Sequence, residues 1–105
     1  MSCLAMSKQK ALNMLGLAMR AGKLVTGEEM TLQKIRARKV KLVLVAEDAG
    51  ENTQKRVKDK STFYQVPFVN CLYSEEISRA IGKNRMVIGV LDNGFANKIK
   101  ELTSS

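Results

Sequence analysis

The chain has no histidine and no tryptophan, one proline and two cysteines. Without histidine there is no imidazole base, no Ser-His or Cys-His nucleophile pair, and none of the commonest metal ligand. Cys3 and Cys71 lie far apart and form no Cys-x-x-Cys pair. Neither a zinc site nor a disulfide framework is therefore expected, and reduced thiols in a cytoplasm are the default. Phosphate-binding glycine loops are missing too: Gly22-Lys23 and Gly82-Lys83 each lack the upstream glycine of a Walker loop, and no dinucleotide fingerprint follows any strand. Glu28-Glu29 and Glu47-Asp48 can be imagined as acid/base or magnesium carboxylates, but helix-dipole and loop roles suffice for both. No enzyme, catalytic residue, metal or cofactor is expected. No run approaches the roughly 20 apolar residues of a membrane span, and no basic leader with a long apolar segment opens the chain. A soluble, unexported cytoplasmic protein is expected, with nothing demanding more than a monomer.

What remains is a basic globular composition. The 105 residues are 45% hydrophobic, enough for a single domain with its own core. Eighteen Lys and Arg against ten Asp and Glu leave a net charge of +8, a balance that favours polyanionic partners such as nucleic acid. Charge names the class of partner and not the site.

Periodicity divides the chain into a leading helix and four strand–helix units. After a few loose residues Ser7 is expected to cap a helix with Ala11, Leu12, Leu15, Ala18 and Met19 on one stripe, stopped at Gly22, with Gly16 allowing close packing. Leu24-Val25 reads as a short strand, and Gly27 opens a helix to about Arg38 with Glu28 and Glu29 in its first turn, where carboxylates suit the positive end of the dipole. The continuously apolar run Leu42 to Ala46 reads as an inner strand covered on both faces. Glu51 or Asn52 starts a polar helix anchored by Val57, and Val66 to Cys71 is the next strand, with Pro67 where no ladder bond is lost. Tyr73 and Ser74 lead into a short helix stopped at Gly82, Met86 to Leu91 is the last strand, and Asp92 or Asn93 caps a final helix before a fraying Ser104-Ser105 tail. This order calls for an α/β protein: a three-layer α/β/α sandwich with helices on both faces of a four-stranded mixed sheet.

For nucleic acid, the candidate constellation is two loops bordered by basic residues, Thr26-Gly27-Glu28-Glu29 at a helix start and Lys83-Asn84-Arg85 before a strand, with the Glu47-Asp48 loop nearby. A helix start offers free N–H groups to acceptor atoms, and glycine lets the backbone come close.

Val25-Thr26-Gly27-Glu28-Glu29, Lys41 to Ala49, Glu51-Asn52-Thr53, Val66-Pro67, Arg79 to Lys83 and Gly94-Phe95-Ala96 together resemble the bacterial YlxQ-like proteins. These belong to the superfamily of ribosomal proteins seven-Ae and thirty-e, which bind kink-turn RNA. The resemblance covers nearly the whole chain and implies a single RNA-binding domain over 1–105, linked to ribosomes or translation. In such proteins the helix start after the first strand reads guanines of tandem sheared G·A pairs, and a loop before the last strand covers the extruded nucleotide. Carried onto this chain, the first element is Gly27, Glu28, Glu29, Met30 and Gln33, and the second is Lys83, Asn84, Arg85 and Met86. The loop at Asp48, Ala49 and Gly50 is a flanking contact, and Lys23, Lys34, Arg38 and Lys83 would meet phosphates. The wider superfamily commonly has Gly-x-Asn-Glu and then a lysine where this chain has Glu29, Met30 and Gln33. Guanine recognition must therefore differ in detail, although the YlxQ-like branch itself carries Gly-Glu-Glu. The reading is a non-enzymatic protein that binds structured, kinked or internally looped RNA. The alternative is a protein-interaction module acting on the ribosome or a translation factor.

Overall fold

The computed structural model describes residues 5–103. Its elements in order are α1 (Ala5–Arg20), β1 (Leu24–Thr26), α2 (Glu28–Arg36), β2 (Leu42–Val45), α3 (Glu51–Phe63), β3 (Phe68–Val69), α4 (Ser74–Ile81), β4 (Val87–Val90) and α5 (Asn93–Thr103). The strands form one mixed sheet in the order β1-β4-β2-β3. β4 runs antiparallel to both neighbours, pairing Thr26 with Ile88 on one side and Val45 with Val87 on the other, while β2 and β3 are parallel. Every residue of β2 and β4 is buried. Since successive strand residues point to opposite faces, both faces of the sheet must be covered. α1 packs on α4 and α5, and α2 packs on α3. This is the three-layer α/β/α sandwich expected, with β2 inner as its apolar run required.

Several boundaries differ from the pattern. α1 begins at Ala5, so Ser7 lies inside the helix instead of capping it. The loose start expected in residues 1–4 and the fraying Ser104-Ser105 tail lie outside the described residues. β3 shrinks to two residues because it is an edge paired only with β2, where the Pro67 carbonyl accepts from the Val43 N–H at 2.9 Å. Cys71, expected as a reduced thiol, is disulfide-bonded; Cys3 lies outside the described residues. The Asp92 cap is present, its carboxylate accepting from the Phe95 N–H at 3.0 Å. No helix among the described residues is long and apolar enough to cross a membrane.

α1, α2 and α3 all end in the same Schellman turn. In α2 the Arg38 N–H donates to the Ile35 carbonyl at 2.9 Å and the Lys39 N–H to the Lys34 carbonyl at 3.0 Å. In α3 Gln65 donates to Thr62 at 3.1 Å and Val66 to Ser61 at 2.8 Å. The residue that turns left-handed is Gly22 in α1 (φ 72°), but Arg38 in α2 (φ 60°) and Gln65 in α3 (φ 58°). This turn ends α2 at Arg36, two residues before the periodicity suggested.

Packing is close over β4 at Gly89. A Cβ on Gly89 would sit 2.8 Å from Val25 Cγ1 and 3.2 Å from both Thr31 Cγ2 and Val40 Cγ2. Gly89→Ala is therefore expected to destabilise the protein by about 1–3 kcal/mol through overpacking, read from the midpoint of urea denaturation. Gln65→Gly should act in the opposite direction. A left-handed L-residue costs about 1–2 kcal/mol, only partly offset by the greater unfolded-state freedom of glycine, so its thermal midpoint should rise by a few degrees.

Candidate nucleic-acid interface

Strand order brings the carboxyl ends of β1, β2 and β3 and the amino end of β4 to one end of the sandwich. Gly27 stands there, directly after the edge strand β1. It adopts φ 94° and ψ 151°, a region essentially reserved for glycine. Its N–H donates to the Val87 carbonyl at 2.8 Å, and its carbonyl accepts from the Thr31 N–H at 3.1 Å as α2 begins. No side chain caps that helix start, so first-turn N–H groups remain available to an acceptor. Arg85 lies against the same spot: its Cδ and Nε are each 3.9 Å from where a Gly27 Cβ would be. Met30 and Met86 are 48% and 41% exposed, unusually open for apolar side chains, and border this junction from α2 and from the start of β4.

The two carboxylates of the helix start are not equivalent. Glu28 is held by α3: the Thr53 hydroxyl donates to Oε1 at 3.3 Å and the Arg56 guanidinium pairs with Oε2. Glu29 is exposed and enters no ion pair among the described residues, and Gln33 is exposed one turn further along α2. Glu28 therefore steadies the α2–α3 packing, and Glu29 alone presents its charge.

Two clasps hold the neighbouring loops. Asp48, after β2, accepts from the Ser74 N–H at 2.8 Å and from the Ser74 hydroxyl at 2.6 Å, fastening its loop to the first residue of α4. Those two bonds stabilise the ionised carboxylate and hold its pKa below the ordinary range. The loop from Gly82 to Met86 is tied by Ser78, whose hydroxyl accepts from the Arg85 N–H at 3.2 Å. Thr53, Arg56, Ser74 and Ser78 were not among the candidates read from sequence. The first three act across 25 to 28 residues, and no local pattern announces such a partnership.

Gly27, Glu28, Glu29, Met30, Asp48, Lys83, Asn84 and Arg85 thus gather at one end. Lys34 is half-buried near the far end of α2. Lys23 and Arg38 lie at the opposite end of the sandwich. The Lys23 carbonyl accepts from the Leu91 N–H beyond β4, and the Arg38 guanidinium sits 5.2 Å from the Tyr64 ring centre. Among the described residues no three carboxylate, thiol or imidazole groups converge to hold a metal ion.

The Asp48 clasp has a definite pH dependence. Because the folded pKa is depressed, its contribution is complete above the ordinary carboxylate range and is lost as pH falls through the lowered value. In an NMR titration the Ser74 amide should move with an inflection below the ordinary carboxylate range. An inflection at or above that range would show that the clasp does not hold the ionised form.

A model of the ribosomal protein L7Ae/L30e/S12e/Gadd45 family matches residues 9–100. The chain is 58% identical over 96 residues to the RNA-binding protein YlxQ of Enterococcus faecium, spanning 91% of this chain and 93% of that protein. It is 45% identical over 98 residues to the RNA-binding protein YlxQ of Bacillus subtilis (strain 168), spanning 92% and 98%. Among solved structures, a protein of unknown function from Bacillus halodurans C superposes with a TM-score of 0.86 at 44% identity, over 89% of this chain and 95% of that one. The Giardia lamblia 15.5kD RNA binding protein superposes at 0.82 over 96% and 88%; at 17% identity this is a likeness of fold.

Proposed function

The chain belongs to the ribosomal protein L7Ae/L30e/S12e/Gadd45 family, and from that premise we propose that it is a non-enzymatic RNA-binding protein whose Gly27–Arg85 end grips a kinked or internally looped RNA. The curated relatives named for RNA binding support the partner class. The observation that carries the reading is the uncapped start of α2 at a glycine with no Cβ to hold RNA away, with the Arg85 side chain against it.

Each part has a physical role in this reading. The free N–H groups of α2 offer donors to base or phosphate oxygens in a widened groove. Arg85 supplies a fixed charge and a planar fork of donors, suited to a phosphate or a guanine edge. Glu29 accepts from base amino or imino groups, and Gln33 can both donate and accept. Pairing of Glu28 with Arg56 offsets one carboxylate that would otherwise repel phosphates. Met30 and Met86 lose exposed apolar surface when bases pack on them. Structured RNA of the translation apparatus is the partner class to which the family's ribosomal description points.

A titration against a kink-turn duplex, and against the same duplex with its sheared G·A pairs replaced by Watson–Crick pairs, tests this at near-physiological salt. The kinked duplex should bind at least tenfold tighter, about 1.4 kcal/mol. Arg85→Ala should remove most of that difference without changing the weak binding to the straight duplex. Equal affinity for the two duplexes would sink the proposal.

A further inference from the structure

The end of the sandwich opposite Gly27 has a different chemistry. The connections of residues 21–23, 37–41, 64–67 and 91–92 meet there, and they carry Lys23, Arg38, Lys39 and Lys41 against one carboxylate, Asp92. Asp92 is engaged in capping α5. None of these four cations enters an ion pair among the described residues. The Gly27 end is far less basic: Glu28, Glu29, Glu47, Asp48 and Glu51 accompany Lys83, Arg85 and the Arg56 paired with Glu28. Much of the chain's excess positive charge therefore sits away from the proposed kink-reading helix start. The helix dipole accounts for Arg36 in the last turn of α2, but it does not reach Lys41 beyond the capping turn.

Aromatic surface accompanies the cations. Phe63, the last residue of α3, is 76% exposed, the most open large apolar side chain among the described residues. Its ring meets Tyr64 edge to face, centroids 5.0 Å apart at 76°, and Arg38 covers Tyr64 at 5.2 Å. A pocket of about 240 Å³ opens beside them, with Val40 and Val66 in its wall and Arg38, Lys41, Tyr64 and Gln65 among its other lining residues. Arg38 and Gln65 are the two non-glycine residues with positive φ. At both places glycine would close the turn at lower energy, yet a long polar side chain stands there and lines the pocket.

Cations outside any ion pair beside the open Phe63 ring are what an unpaired nucleic-acid strand requires, because a base stacks on the ring while phosphates track the charge. A duplex hides its base faces and would leave Phe63 unused. We propose that this end is a second RNA contact, which binds a single-stranded segment by stacking on Phe63, braced edge-on by Tyr64, and by phosphate contacts from Arg38, Lys39 and Lys41. It shares with the proposal above only the premise that the partner is RNA. The domain then joins two RNA elements, one at each end of the sheet.

The test is a titration of the full chain with a labelled ten-nucleotide uridine RNA, with a blunt kink-turn duplex, and with that duplex carrying a ten-nucleotide unpaired tail. Phe63→Ala should weaken the single strand at least fivefold and leave the blunt duplex unchanged. Replacing Lys39 and Lys41 together by Gln removes two phosphate contacts and should make the slope of log K against log salt shallower by about 1.4. Arg38→Gly should weaken the single strand while raising the thermal midpoint, so that the loss cannot be unfolding. The tail should tighten duplex binding in the wild type and not in Phe63→Ala. Phe63→Ala binding the single strand as well as wild type overturns the proposal. So does an acidic ten-residue peptide that binds as tightly as the RNA, since the surface would then be a protein contact. A blunt kink that fails to bind while the single strand keeps these sensitivities removes the first proposal and supports this one.

Discussion

Val87 to Val90, inserted antiparallel between two strands that come earlier in the chain, decides where everything else sits. This strand bonds on both edges and is covered on both faces, so its register cannot slip without exposing apolar residues. Its amino end supplies the carbonyl of Val87 that fixes Gly27, and Met86, just before it, supplies the carbonyl that closes onto Ala46 at 2.8 Å. Gly89 in its middle lets α2 descend until Thr31 touches the sheet. Thr31 is fully buried there with its hydroxyl unpaired, a cost accepted for that close approach.

From the same strand order follows the polarity of the molecule. α2 and α3 run away from the Gly27 end, so their acidic first turns gather there and their basic last turns at the other end. Local dipole preference and global topology therefore act in the same direction and separate charge along the sheet. Glu28 and Asp48 are partly withdrawn from this field by Arg56 and Ser74. What faces outward at the Gly27 end is then a short, defined set of polar groups around a backbone that can be closely approached. At the far end, charge is plentiful and the Phe63 ring is open. The first suits recognition of a shaped RNA, the second a strand with accessible bases.

Much of this was legible without coordinates because it is local. The stripe of α1, the apolar run of β2, the acidic start of α2, and Asp92 before Phe95 are patterns within a few residues, where backbone hydrogen bonding and side-chain periodicity decide the outcome. Helix ends were read less well. α2 stops at Arg36 because Arg38 turns left-handed, a conformation that glycine announces and arginine does not. Ser7 looked like a cap because serine commonly caps, but α1 starts at Ala5.

The class of fold, the inner strand, the helix start at Gly27 and the excess of positive charge all follow from local pattern and composition, since each depends on neighbours in the chain or on residue counts alone. Long-range packing is what lays Arg85 on Gly27, gives Glu28 to Arg56, and sets Lys23 and Arg38 at the far end from the residues with which they had been grouped. Those relations depend on which strand edges meet. Pairing across tens of residues is chosen by the burial of the whole sheet and leaves no mark in any short stretch of sequence.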